Sequence, residues 1–202
     1  MSSSLVGVHR RCFPLVAAWL AFWTVASART EAPQQRADAF ARLGQTGHVL
    51  LMRHAYAPGV GDPKGMVPGD CSTQRNLDER GRAQAKKLGE RLRAASVSDI
   101  RVYTSQWCRC RETARLLAVG TVEDLPALNS FFEQPEMRDE RLASLRDFLD
   151  KLPRDGRPVV LVTHQVTVTA LTGYFPSSGE GLVLKLSEGG GFERVADLDA
   201  SE

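Results

Sequence analysis

Gly47-His48-Val49-Leu50-Leu51-Met52-Arg53-His54-Ala55 is the stretch that decides the fold. Gly47 to Met52 reads as a buried strand, a short apolar run bounded by a turn residue and a charged pair. The strand runs straight into Arg53 and His54. A strand that ends in a cation and an imidazole is suited to holding an anion and attacking it. Working outward, Ser105-Gln106-Trp107-Cys108-Arg109-Cys110-Arg111-Glu112-Thr113-Ala114 and Val159-Val160-Leu161-Val162-Thr163-His164 supply further cationic and imidazole groups beside apolar runs.

The segments between alternate in type. Asp78 caps a helix running to about Ala95, with Ala83, Leu88 and Leu92 near helical spacing. Ile100 to Tyr103 reads as a strand, and Ser105 as the cap of a helix reaching about Val119. Val122 to Leu128 is a short strand or extended segment. Asp139 to Leu152 is an amphipathic helix carrying Leu142, Leu145, Phe148, Leu149 and Leu152 on one side. Pro158 to Thr163 is a strand, and Gln165 to Tyr174 suits a helix. Gly181 to Leu186 and Phe192 to Leu198 form a terminal hairpin across Gly189-Gly190-Gly191. This alternation predicts an α/β fold, a three-layer α/β/α sandwich on a mostly parallel sheet. Ligands of such sheets bind beyond the carboxyl ends of the strands. Arg53-His54, Ser105 to Arg109 and Thr163-His164 all fall there. The Gly- and Pro-rich stretch 55–76 is a long loop of the kind that usually serves function.

The first 28 residues read as a secretory signal peptide outside the fold. His9-Arg10-Arg11 gives a positive start, Cys12 to Val25 is apolar, and Ala26-Ser27-Ala28 offers a small-x-small cleavage site. The apolar run is shorter than the ~20 residues of a spanning helix. Residues 29–202 are then one domain, entered through a lead-in with a short helix near Ala37 to Leu43. Cleavage removes Arg10, Arg11 and no acid, so 24 basic residues face 24 acidic ones. A neutral chain has no long-range steering field, so attraction for an anion must come from the local pocket. Without a basic tract or basic-aromatic stripe, nucleic acid is not an expected partner.

Three cysteines remain, Cys71, Cys108 and Cys110. In an oxidising compartment a disulfide is expected, Cys71 with either Cys110 or Cys108. Cys108 to Cys110 would close a very small loop. Zinc needs more ligands than Cys-x-Cys offers here, so neither metal nor other cofactor is expected.

The chemistry these residues support is phosphoryl transfer. A neutral His54 imidazole would attack phosphorus and split hydrolysis into two steps. Arg53 and Arg109 would clamp the phosphoryl oxygens, and His164 would be a second cationic donor. Gln165 follows His164 and would reach the phosphate through its backbone N–H or amide. Arg75 and Lys64 border the site in sequence.

The joint pattern resembles the histidine phosphatase superfamily, the phosphoglycerate mutase-like group. It is carried by Leu51-Met52-Arg53-His54-Ala55, Asn76-Leu77-Asp78-Glu79-Arg80-Gly81-Arg82-Ala83-Gln84-Ala85, Tyr103 to Arg109 with Thr113-Ala114, and Val162-Thr163-His164, in the family's order. The resemblance implies His54 as the phosphoacceptor, with Arg53, Arg109 and His164 completing the phosphate pocket. Two departures stand out. Ala55 replaces the family's usual Gly. Ser130, within Leu128-Asn129-Ser130, stands where many members carry a Glu as general acid, and a serine is a poor proton donor. Glu133 is the nearest replacement, with Asp70 or Asp62 of the long loop, or no dedicated acid, as alternatives. The expected function is an exported, metal-independent phosphomonoesterase working through phosphohistidine on a small phosphorylated substrate, by family analogy an envelope sugar phosphate. The alternatives are a non-catalytic phosphate-binding module of the same fold and a phosphohistidine-protein phosphatase. No stable membrane insertion is expected after signal cleavage, and the location expected is periplasmic or secreted.

Overall fold

The computed structural model describes residues 39–97 and 99–199. The expected signal peptide, residues 1–28, lies outside them, as does most of the lead-in. Residues 39–43 are helical and bury Ala39, Phe40 and Leu43.

Six strands form one sheet: β1 (His48–Arg53), β2 (Arg101–Thr104), β3 (Val122–Asp124), β4 (Val159–Thr163), β5 (Gly181–Leu186) and β6 (Phe192–Leu198). Their order is β3-β2-β4-β1-β5-β6. The first four run parallel, while β5 and β6 complete the sheet as an antiparallel hairpin. The parallel strands are joined through helices α1 (Glu79–Ala94), α2 (Cys108–Leu117) and α3 (Arg138–Lys151), and α4 (Gln165–Thr172) follows β4.

Strand alternation sorts the core into two layers. Leu50, Met52, Val102, Val160 and Val162 face Leu88 and Leu92 of α1 and Ala114 and Leu117 of α2. Val49, Leu51, Val159 and Leu161 face Leu142, Leu145 and Leu149 of α3 and Val168 and Leu171 of α4. β1 and β4 are covered on both sides, which is why they read as continuous apolar runs. Burying each such Leu or Val contributes about 1.5–3 kcal/mol. The three-layer sandwich is therefore the observed architecture.

Asp78 caps α1, its Oδ1 accepting from Gly81 N–H at 2.9 Å. Gly81 is required by close approach: a Cβ there would lie 1.9 Å from the carbonyl oxygen of Tyr56, just after the site. Two local expectations are corrected. The helix expected from Ser105 begins at Cys108, with Trp107 as its cap residue and no side-chain cap. The stretch Val122 to Leu128 is a three-residue strand followed by a 3-10 turn, Pro126–Leu128, where Pro126 cannot donate to the sheet. Among the described residues no helix is long and apolar enough to cross a membrane.

Candidate active site

Strand register builds the site. Arg53 pairs with Thr163 across β1 and β4, so the next residues, His54 and His164, emerge side by side. The turn is fixed by His54 N–H donating to Thr163 O at 2.9 Å. The two rings lie 5.6 Å apart, edge to face. β2 ends one strand over, with Ser105 N–H donating to Val162 O at 3.0 Å, and feeds α2, whose second residue is Arg109. Thr113 ties this helix back to the loop after His54, accepting from Ala55 N–H at 3.0 Å.

His54 and His164 are both held in one tautomer. His54 Nδ1 lies 2.7 Å from its own neighbour's carbonyl, Ala55 O, which only an N–H can satisfy. Nε2 therefore carries the lone pair, and Arg109 Nε–H rests on it at 3.2 Å. At His164, Nε2–H donates to Ser105 Oγ at 2.8 Å, and Ser105 O–H passes on to Asn129 Oδ1 at 3.2 Å. Nδ1 of His164 accepts from Arg109 NH2 at 3.3 Å. Burial, then the nearby Arg109, push both imidazoles well below their ordinary range, so both are neutral. A cation there needs an anion beside it first.

Arg53 bonds Pro176 O through NH1 at 3.1 Å, while its Nε is buried without a hydrogen-bond partner among the described residues. A buried donor in that state is costly unless something arrives to accept from it. Arg75 is committed elsewhere. Its Nε donates to Gly61 O at 2.6 Å and NH1 to Ala57 O at 2.7 Å, folding the loop back on itself. Burial and the neighbouring Arg109 lower it to about 10. Gln165 lines the cleft with its amide turned to Thr169 Oγ1 at 2.8 Å. The cleft encloses about 90 Å³, and Arg53, His54, Asp62, Arg109 and His164 are on its wall.

The carboxylates separate clearly. Asp62 meets the Arg109 guanidinium through both oxygens, at 2.8 and 3.1 Å. It also accepts from Arg75 N–H at 3.1 Å and Trp107 Nε1–H at 3.0 Å. Glu133 lies outside the cleft, on a neighbouring cavity of about 480 Å³. Asp70 lines neither; it caps the 3-10 turn Cys71–Thr73 by accepting from Ser72 N–H at 3.0 Å. Ser130 borders both cavities. Lys64 belongs to the outer cavity.

A disulfide joins Cys71 to Cys108, tying the long loop to the first residue of α2. The alternative pairing with Cys110 is not formed. Two residues further along the helix, Cys110 points into the core, fully buried as a free thiol beside Thr163 O. Burial pushes that thiol up to about 12, so it is inert.

A pocket of this kind, two neutral imidazoles among arginines at the carboxyl edge of a parallel sheet, is equipped to bind an oxyanion. Comparison with known proteins agrees. The model of the histidine phosphatase superfamily, branch 1, matches residues 49–133, which hold His54, Arg53 and Arg109. Over those residues the chain is similar to the histidine phosphatase superfamily. Solved structures similar to it include the protein histidine phosphatase SixA complexed with tungstate, at 20% identity and TM-score 0.56 over 76% of this chain and 97% of that one. The mycobacterial glucosyl-3-phosphoglycerate phosphatase with VO3 aligns at 17% identity and TM-score 0.51, over 68% and 90%. The ecdysone phosphate phosphatase of Bombix mori with tungstate aligns at 15% and TM-score 0.54, over 74% and 92%. At these identities the likeness is one of fold.

Within this fold, sequence reasoning missed three placements. Ser105 anchors His164 rather than capping α2, and Arg75 braces the loop. Asp62, weighed only as a spare acid, is the partner of Arg109. Ser105 had a local signal, since it directly follows a strand that ends beside β4. For Asp62 no local signal exists, because the contact spans 47 residues.

Proposed function

We propose that this chain is a phosphomonoesterase that forms a phosphohistidine at His54 Nε2. The observation that carries this is the His54 tautomer. Ala55 O holds the Nδ1 proton, leaving a neutral Nε2 lone pair facing an arginine-lined cleft. Arg109 and the buried Nε of Arg53 then take the phosphoryl oxygens. As the anion settles, His164 gains reason to protonate at Nδ1 and donate to it. Arg53 and Arg109, with His164 once it is protonated, supply the positive charge, and the mechanism needs no metal for it.

Export is part of the proposal. The pattern of residues 1–28 supports it, and the Cys71–Cys108 disulfide suits an oxidising compartment. The substrate class favoured is a sugar phosphate of the cell envelope. The outer cavity beside the cleft offers the Trp107 ring with Ser130, Glu133 and Gln134, an aromatic and polar wall suited to a polyhydroxyl group. A phosphate-binding module without turnover is the rival reading, favoured by Ser130 in place of the family's Glu.

The test is hydrolysis of p-nitrophenyl phosphate by residues 29–202 with a chelator present, beside His54→Ala. Turnover that disappears in the variant supports the phosphatase. Tight phosphate binding with no turnover in either protein supports the binding module. Activity lost to the chelator and restored by a divalent metal sinks the metal-free mechanism.

A further inference from the structure

The phosphoryl cleft and the outer cavity meet along a shared wall. Asp62 and Ser130 are the two residues that line both. In a phosphomonoester the bridging oxygen is bonded to phosphorus on one side and to the leaving group on the other. With phosphorus in the cleft and the leaving group in the cavity, that oxygen sits at the shared wall. Of the two residues there, only Asp62 exchanges a proton readily.

We propose that Asp62 is the general acid of this site, held on Arg109 while the pocket is empty and freed when a phosphoryl group takes that arginine. The inference rests on the phosphatase reading above. Asp62 is the carboxylate closest in role to the incoming anion: it presents two oxygens to the guanidinium that would clamp the phosphate. Its side chain is 5% exposed, so it is not there by accident of solvent. The groups around it come from several elements. Arg109 and Trp107 face it from α2 and its cap, Arg75 from the far end of the loop, and His54 and His164 from across the cleft. Glu133 and Lys64 share the outer cavity with it. Burial favours the protonated acid, but the hydrogen bonds and charge of Arg109, with the bonds from Arg75 and Trp107, outweigh this and hold it below the ordinary carboxylate range. When the phosphoryl oxygens compete for Arg109, burial is opposed only by the bonds from Arg75 N–H and Trp107 Nε1–H, and the carboxylate takes up a proton from solvent or from the monoprotonated ester.

The steps balance. The Nε2 lone pair of His54 forms the N–P bond as the P–O bond breaks. The departing oxygen keeps that electron pair and takes the Asp62 proton, leaving as the alcohol. Water then attacks the phosphohistidine and gives its proton to the Asp62 carboxylate. The N–P pair returns to Nε2, phosphate leaves, and Asp62 is again protonated for the next ester. Glu133 lines the outer cavity and not the cleft, so it does not stand on the shared wall.

The experiment compares an alkyl phosphate with p-nitrophenyl phosphate, whose leaving group needs no proton, in the wild type and Asp62→Asn. Because Asp62 also serves the dephosphorylation common to both esters, the readout is kcat/KM, which reports the first step; loss of an acid lowers it on the alkyl ester by about 10²–10⁴. The aryl ester should fall by less than about tenfold. Asp62→Asn should also bind vanadate at least as tightly as the wild type, since the competing carboxylate is gone; simple loss of structure would weaken it. Equal losses on both esters, no loss on either, weaker vanadate binding, or a selective loss in Glu133→Gln instead would each overturn the proposal. The wild type alone gives a second check: a steep fall in rate with leaving-group basicity also overturns it. If the wild type hydrolyses no ester at all, the phosphatase reading fails first and the role of Asp62 falls with it.

Discussion

At the scale of the residue, the site depends on which nitrogen of each imidazole carries a proton. Ala55 O sets this for His54 and Ser105 Oγ for His164. Ser105→Ala removes the acceptor of a fully buried N–H, leaving it only the sulfur of Cys110 at 3.5 Å. An unsatisfied buried donor costs about 1–3 kcal/mol. The His164 ring is then free to turn away, and vanadate should bind about tenfold more weakly or worse. Titration of the variant with vanadate checks this; unchanged affinity would mean that packing alone orients His164. The residue types here were visible in the sequence, as Arg53-His54, Arg109 and Thr163-His164. Their protonation states were not, because tautomers follow from partners that only folding supplies.

At the scale of the element, the long loop 55–76 is fastened at three kinds of point. Arg75 bonds its carbonyls, Asp62 pairs with Arg109, and the disulfide fixes Cys71 to the start of α2. Gln74 Oε1 adds a bond from Cys108 N–H at 2.9 Å. The cysteines are 37 residues apart, and closing a loop of that size is worth about 2–4 kcal/mol. Reduction should lower stability by about that amount and raise KM, since Arg109 is the next residue along. Denaturant midpoints and kinetics before and after complete reduction test both; unchanged kinetics would show that the noncovalent ties hold the loop by themselves. The strands and helices were legible from apolar periodicity to within a few residues. The start of α2 was not. Ser105 has the composition of a cap, but β4 lies within reach of its hydroxyl and His164 takes it first.

At the scale of the whole molecule, two neutral histidines in a buried cationic pocket make stability depend on pH. Both have folded-state pKa values well below the 6.5 of an unfolded chain. As pH falls through that value the unfolded chain binds protons that the folded one refuses, so stability drops. The slope approaches about 1.4 kcal/mol per pH unit for each histidine until the folded pKa is reached. Asp62, held below its ordinary value by Arg109, adds a loss of the same sign at still lower pH. Denaturant midpoints measured from pH 7.5 to 5 should therefore fall. Bound phosphate should shrink the fall, because an oxyanion supports the protonated imidazole. A flat profile would contradict the neutral assignment.

The sequence by itself determined the α/β sandwich, the order of its strands and helices, and the identity of the residues collected at the sheet edge. Those depend on local periodicity and on the rule that loops at the carboxyl ends of parallel strands converge. Only the tertiary structure decided that Cys71 pairs with Cys108, that Ser105 serves His164, and that Asp62 sits on Arg109 while Glu133 stands outside. Each of these is a contact between segments far apart in the chain. The direction in which a side chain leaves a helix or loop selects its partner, and composition carries no record of that direction.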